Sequence, residues 1–356
     1  MRSSVVVLCM VLFWHTVHCQ GINTSTFICS GRSSSKDKIL VVGATGTMGL
    51  RAVQGLLDVG YQPSQLQIIT RNASKPKMKQ LHHLGFGIVQ ADLQNPSSLH
   101  NIGRGCNGCF IFATGGDTAE LDTSELSSAR NLRDALDDDV RTIVYHSAAG
   151  AKDHGVKRIQ QKHDVEEILS KRRSGHGRLT ILRANLFMEE LWKNFTRPQI
   201  LQGKYPLPVH RFRKIYLTSV RDIGRLAGAI LQSRETEENE NENAIRILNV
   251  SGDRLTGPQI AKAFGKAQNS KCRHANNREL TRTARRSFPE LYEQIRFLQT
   301  SKERTNIRSL KKEFPGLISA FQGFLEETQW NDTDRSFGYF SNPESLQFNS
   351  PEENSK

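Results

Sequence analysis

The chain has few of the residues that would hold a metal or staple a small secreted scaffold. Its 356 residues include six cysteines, and three of these, Cys9, Cys19 and Cys29, fall near the start. Cys106, Cys109 and Cys272 remain, an odd count with no disulfide framework. Cys106-Asn-Gly-Cys109 has the spacing of a redox or metal pair. A zinc site would need a second pair of ligands, and none follows at a matching interval. Cys109 opens an apolar run, where a thiol serves as a small buried group, so a regulatory dithiol is the alternative. His82, His83, His154 and His163 also lack partners at ligand spacing and read as surface histidines, so no metal site is predicted. The chain has no G-x-S-x-G elbow and no G-x-x-x-x-G-K loop.

A membrane-spanning run is missing too. The apolar stretch Val5–Trp14, behind Arg2 and closed by His15 to Gln20, is too short to cross a bilayer and reads as a signal peptide over residues 1–20. Residues 21–36 are rich in Ser and Thr, carry Arg32 and hold no acid before Asp37, the composition of a transit peptide. Such a two-part leader resembles those of plastid proteins in algae with secondary plastids; plain secretion, with 21–36 as a linker, is the alternative. The odd cysteine count argues against a life in the secretory lumen. So does an Asn-Ala-Ser sequon at Asn72, where a glycan would obstruct the site described next.

Acids are in the minority. Lys and Arg number 49 against 36 Asp and Glu, a net charge of +13 that suits a phosphorylated ligand, nucleic acid or an acidic membrane. The densest basic run, Lys271–Arg286, has no interleaved aromatics for base stacking, so no nucleic-acid partner is predicted. Hydrophobic residues at 37% and charged residues at 24% describe a soluble globular protein.

From Lys38 onward, short apolar runs alternate with helical stretches, the pattern of a parallel sheet with crossover helices. Strands are predicted at Ile39–Val42, Gln65–Thr70, Gly87–Gln90, Cys109–Ala113, Thr142–His146, Leu179–Leu182 and Ile245–Val250, with helices such as Met48–Val59, Ser124–Leu136 and Val156–Leu169 between them. This is an α/β fold with a doubly wound parallel sheet. Glu235–Asn243 reads as an exposed acidic loop, and 333–356 as a disordered tail with little to bury.

Gly43, Gly46 and Gly49 form G-x-x-G-x-x-G between the first strand and the first helix. The first glycine permits a tight turn, the second brings backbone N–H groups against a pyrophosphate, and the third lets helix and strand pack. The turn therefore predicts a bound dinucleotide, with Gly43, Gly46 and Gly49 holding its diphosphate. At the end of the second strand, where an NAD site places an acid, stands Arg71, followed by Lys75 and Lys77. A guanidinium matches a 2′-phosphate that a carboxylate would repel, so NADP(H) is predicted over NAD(H). Asp92 either reaches the adenine amino group or caps the helix opening near Pro96. On the helix Val156–Leu169, Lys162 shares an inward stripe with Ile159, Val165 and Leu169, placing an ammonium on an apolar face.

With these residues in place, the chain resembles the NmrA-like family of atypical short-chain dehydrogenases/reductases, which carry an NAD(P)-binding Rossmann fold. The resemblance runs from Lys38 to Trp330 through "VVGATGTMG", "ITRN", "ADLQNPSSL", "ATGGD", "IVYHSAAG", "QKHDVEEIL", "LTILRANLFMEEL" and "YLTSVRDIGRLAGAIL". It implies a domain over 37–332, with a Rossmann core at about 37–185 and a smaller, mostly helical substrate lobe interleaved at about 186–332. It also implies that Gly43, Thr45, Gly46, Thr47, Met48, Arg71, Asp92, Ala113, Thr114, Lys162 and Asn185 line the cofactor. The family's serine matches Ser147, which would hold a carbonyl oxygen or cap the next segment. Phe187 and Met188 are core or substrate contacts. The tyrosine that ordinary members place four residues before the lysine is here Arg158. An NADPH-dependent oxidoreductase acting on a small carbonyl or quinone, with Lys162 as acid/base, is the first expectation. A non-catalytic NADP(H)-responsive regulator or plastid assembly factor, with a protein partner, is the alternative.

Overall fold

The computed structural model describes residues 38–114, 124–150, 156–171, 177–233 and 245–348, apart from residue 303. The leader, the acidic stretch 235–243, His154 and the last eight residues of the tail lie outside the described residues.

Every run predicted as a strand forms one, with bounds shifted by two residues at most. In chain order the core contains β1 (Ile39–Val42), α1 (Gly49–Asp58), β2 (Leu66–Thr70), α2 (Pro76–His83), β3 (Gly87–Gln90), β4 (Gly108–Ile111), α3 (Ser124–Ala135), β5 (Thr142–Ala148), α4 (Lys157–Ser170) and β6 (Arg178–Ala184). There follow β7 (Leu186–Phe187), α5 (Arg197–Leu201), β8 (Lys204–Tyr205), β9 (Lys214–Thr218), α6 (Val220–Gln232), β10 (Ile245–Val250) and β11 (Asp253–Thr256). The chain continues through α7 (Gly257–Ala267), β12 (Arg273–His274), α8 (Arg278–Ser287), α9 (Pro289–Thr300), α10 (Ile307–Glu313) and α11 (Phe321–Glu327).

Seven strands form one sheet in the order β10-β6-β5-β4-β1-β2-β3, all neighbours parallel. All four residues of β1 and of β4 are buried, which is why these strands read as unbroken apolar runs rather than alternating ones. The order of strands reverses between β1 and β4, and a crevice opens there beyond their carboxyl ends. One apolar core lies between the sheet and α1 with α6, and a second involves α3 and α4 on the other face. Helices α1 and α6 cross backbone to backbone. A methyl on Gly224 would lie 1.8 Å from the Ala52 carbonyl, and one on Gly55 would lie 2.1 Å from that of Arg221.

A third core belongs to the lobe, where Met188, Trp192, Phe264, Phe321 and Trp330 pack beneath a three-stranded sheet ordered β11-β9-β7. The tail departs from the sequence expectation. Residues 333–348 fold onto the body through two short 3₁₀ turns, Phe337–Ser341 and Pro343–Ser345, with Phe340 1% exposed and Leu346 8% exposed. Isolated apolar residues in a polar stretch suffice because Phe340 is buried in the core of the lobe and Leu346 in that between the sheet and α1. Among the described residues, no helix is long and apolar enough to cross a membrane.

Candidate functional site

β1 delivers the chain into the glycine turn at the centre of the crevice. Gly43 has φ +86°, and a side chain there would put its Cβ 2.6 Å from the Ala113 nitrogen and 2.8 Å from the Ala113 oxygen. Only glycine permits both the dihedral and the approach. The turn closes on itself through Gly46 N–H donating to the Gly43 carbonyl at 3.4 Å and Gly49 N–H to Gly46 at 3.2 Å. A methyl on Gly49 would sit 2.2 Å from the Gly43 oxygen. Gly49 therefore seats α1 against the turn and is not itself on the cleft wall, contrary to its assignment as a cofactor contact. The first turn of α1 has no acid, so its positive end stays open toward an anion.

The crevice holds about 1120 Å³, and its wall includes Gly43, Thr45, Gly46, Thr47, Met48, Arg71, Asp92, Ala113, Thr114 and Lys162. At one end, Arg71 stands exposed at the end of β2, with Lys75 and Lys77 on the same wall. Lys77 Nζ donates to the Thr45 carbonyl at 3.2 Å, and among the described residues no carboxylate pairs with Arg71 or Lys75. Asp92 Oδ1 accepts from Gln94 N–H at 3.0 Å. The 3₁₀ turn that opens at Pro96 is capped by Asn95, not by Asp92, which stays on the cleft wall. A glycine cradle with an open helix end, and beyond it a guanidinium free of carboxylates, fit a linked diphosphate carrying one further phosphate at the arginine end.

The other end is built from β4, β5, α3, α4 and β7. Lys162 Nζ donates to Glu125 Oε1 at 2.6 Å, and Thr114 Oγ1 donates to the same oxygen at 3.2 Å. The carboxylate thus holds the ammonium in place at the cleft. Beside it, the His146 ring stacks on Phe112 with centroids 4.8 Å apart and tilts against Phe187 at 5.3 Å. His146 Nδ1 lies 2.9 Å from the Phe112 carbonyl, so the neutral ring donates there and keeps Nε2 as an acceptor. Burial, aided by the Lys162 charge, pushes the imidazolium pKa down to about 3.

This shift makes stability depend on pH. As the pH falls below 6.5, the unfolded chain takes a proton here that the folded protein refuses until about pH 3. Stability is therefore lost across that window on acidification, with a slope of up to about 1.4 kcal/mol per pH unit. The His146→Phe variant is expected to show a flatter fall of its urea midpoint between pH 6.5 and pH 5 than the parent. An identical slope would mean that His146 is not held neutral.

Two predicted residues lie elsewhere. Ser147 is fully buried, and its Oγ donates to Glu166 Oε1 at 2.5 Å, while Arg183 pairs with the same carboxylate at 2.6 Å. Successive side chains of a strand face opposite sides. Ser147 and Tyr145 therefore point toward α4, while His146 reaches the cleft. Asn185 is turned away as well, its amide donating to the Val250 carbonyl and to Thr305 Oγ1, both at 3.1 Å. Nor does another tyrosine replace the missing one. Tyr145 lies under Lys162, with Nζ 5.9 Å from its ring, but its hydroxyl is sealed without a partner and burial pushes its ionisation well above the usual range. Phe187 stands on the cleft wall, and Met188 is fully buried in the lobe.

His163 is not a surface residue. It is 9% exposed, with Nδ1 3.5 Å from Glu166 and Nε2 3.1 Å from Glu167. Cys106 and Cys109 are both buried thiols; Cys106 Sγ donates to Gln67 Oε1 at 3.4 Å, and burial pushes its pKa up to about 11. A thiol held in that state is a poor nucleophile. From the basic run, Lys271 and Arg273 line a second, shallower groove of about 690 Å³ with Arg211 and Lys262.

The model of the NmrA-like family matches residues 35–304. Over 133 residues the chain is 32% identical to a dihydroflavonol 4-reductase of Zea mays, a stretch that spans 33% of this chain and 36% of that reductase. The structure resembles that of an NADPH-dependent quinone oxidoreductase of Escherichia coli solved with NADPH (18% identity, TM-score 0.61, covering 82% of this chain and 99% of that one). It resembles equally a triphenylmethane reductase of Citrobacter sp. in complex with NADP(H) (19%, 0.62, 82% and 99%). A third likeness is to NmrA, a negative transcriptional regulator in complex with NADP (15%, 0.61, 84% and 96%). At these identities the structural likeness is one of fold, whereas the family match spans most of the chain. The protein is a member of the NmrA-like family.

Proposed function

We propose that this protein is an NADP(H)-dependent reductase acting on a flat carbonyl or quinone. One observation carries the reading: the Lys162 ammonium, tethered 2.6 Å from Glu125, stands on the cleft wall with the ring stack Phe112–His146–Phe187. NADPH, when bound, supplies the hydride. Arg71 holds its 2′-phosphate and the Gly43–Gly46 turn its diphosphate. Lys162 reaches the ribose hydroxyls or gives a proton to the substrate oxygen. His146 has no proton to give, because its N–H is spent on the Phe112 carbonyl. The rings exclude water and offer a flat apolar surface. In solved structures the same fold holds NADP(H) in a quinone oxidoreductase and in a dye reductase, which supports the reading.

A regulator that binds NADP(H) without turnover is the second reading, favoured by Arg158 in the place of the usual tyrosine. A single-turnover experiment separates the two. Protein loaded with NADPH is mixed with quinones, aldehydes and enones, and the reduced-nicotinamide band is followed. Decay faster than in a protein-free control supports the reductase. Tight NADPH binding with no decay across the panel sinks it and leaves the regulator.

We also propose that residues 1–36 address the protein to a plastid. The Asn72 sequon lies on the cleft wall, where a glycan added in the secretory lumen would block the nucleotide, and this supports the proposal. A fluorescent reporter fused behind these residues is expected to accumulate in the plastid; its appearance in the medium would overturn the assignment.

A further inference from the structure

We infer that residues 331–348 form a strap that carries Phe337 to the wall of the cleft, where its ring selects substrates by shape. The inference rests on the reductase reading above. The strap lies beyond residues 35–304, the stretch matched by the family.

Its two ends are pinned by different means. At the first, the Arg197 guanidinium, 6% exposed, lies 4.0 Å over the Trp192 ring and donates to the carbonyls of Trp330 at 2.9 Å, Asp332 at 2.6 Å and Arg335. A buried cation is costly unless its donors are used, and the two terminal nitrogens of Arg197 are used on these three carbonyls, which ties that stretch of chain to the guanidinium. At the other end, Gln347 N–H donates to Gln54 Oε1 at 2.7 Å, and Gln54 Nε2 donates back to the Gln347 carbonyl at 3.0 Å. Gln54 belongs to α1, so the strap runs from the lobe to the helix that follows the glycine turn. Between these points Phe340 is 1% exposed and meets Trp192 edge-on at 5.5 Å.

Phe337 meets the anchored Phe340 ring edge-on at 6.2 Å and from there faces the cleft. Its ring is half-buried on the cleft wall, 6.0 Å from Lys193 Nζ, and Phe187, Glu190 and Lys193 line the same cleft. Lys193 is occupied by Glu190 at 2.5 Å, so this wall presents aromatic area more than net charge. Phe112, His146 and Phe187 line the same cleft, so rings from the core and from the strap border the site. A flat, ring-bearing electrophile fits such a slot, and the reach of Phe337 sets how large it can be.

The test uses the full chain with Phe337→Ala and Phe337→Trp, measuring kcat/KM for 1,4-benzoquinone and for 9,10-phenanthrenequinone, together with the Kd for NADPH. The alanine variant is expected to raise the ratio of large- to small-quinone kcat/KM by about tenfold or more, and the tryptophan variant to lower it, the range that pocket shape alone commands. The NADPH Kd should stay within about threefold, since the ring is assigned to substrate. An unmoved ratio in both variants of an active enzyme would overturn the strap's role and leave the reductase reading intact. Weakened NADPH binding with an unmoved ratio would overturn it as well, by assigning Phe337 to the cofactor. If the parent turns nothing over, the reductase reading fails. The strap is then judged by titrating 9,10-phenanthrenequinone into protein loaded with NADP⁺: a Kd raised by about tenfold in Phe337→Ala supports it, and an unchanged Kd sinks it.

Discussion

Replacing Lys162 with alanine is expected to slow hydride transfer by about 10²–10⁴-fold, the range of a positioned acid. NADPH affinity should change by about tenfold at most, the worth of one half-exposed hydrogen bond. The prediction follows from how the ammonium is held. Val165 and Leu169, buried against the sheet, fix α4, and Glu125 with Thr114 fixes the end of the lysine. Alanine removes the ammonium and leaves a nearly buried carboxylate that, among the described residues, keeps the threonine hydroxyl. Some loss of stability is therefore expected, and melting curves should accompany the kinetics. Glu125→Gln offers a second view, because it keeps a hydrogen-bond acceptor for Lys162 but removes the charge. A variant lacking Lys162 that still oxidises NADPH at the parent's rate would take the acid/base role from this residue.

Replacing Arg71 with aspartate is expected to reverse the preference between NADPH and NADH. Loss of a charge-assisted contact to the 2′-phosphate costs about 1.5–3 kcal/mol, or about 10- to 150-fold in Kd. The new carboxylate adds repulsion toward the phosphate and an acceptor for the ribose 2′-hydroxyl of NADH. Arg71 is exposed and has no carboxylate partner among the described residues, so the fold should not notice the change. Lys75 and Lys77 remain on the wall and will retain part of the affinity for NADPH. Titrations of both nucleotides at one ionic strength give the ratio, since surface electrostatics are screened by salt. An unchanged preference would mean that the 2′-phosphate sits elsewhere.

The middle of the sheet could be read from the sequence because strands such as β1 and β4 are buried on both faces, and such strands are bounded apolar runs. Gly43 and Arg71 were legible for a related reason: a turn and a charge at the end of a strand are local features. What escaped depends on chain segments far apart. Glu125 and Lys162 are separated by 37 positions and meet only because α3 packs beside α4. Ser147 and His146 are neighbours in β5, and choosing between them required knowing which face of that strand meets α4. Asn185 stands beside the cleft in sequence logic, yet its amide is taken by Val250 and Thr305. The tail looked too polar to fold, and composition could not show that Arg197, Trp192 and Gln54 had places waiting for it.

The central claim is that this cleft passes a hydride from one face of NADPH to a substrate. It is tested most directly with NADPH carrying deuterium at C4 in either of the two stereochemical positions, with the isotope content of the NADP⁺ product read by mass spectrometry. A reductase that would hold the nicotinamide in one orientation in this cleft should remove deuterium completely from one labelled form and leave it untouched in the other. NADP⁺ in which both forms have lost label in part, or no NADP⁺ above the protein-free control, would contradict the account.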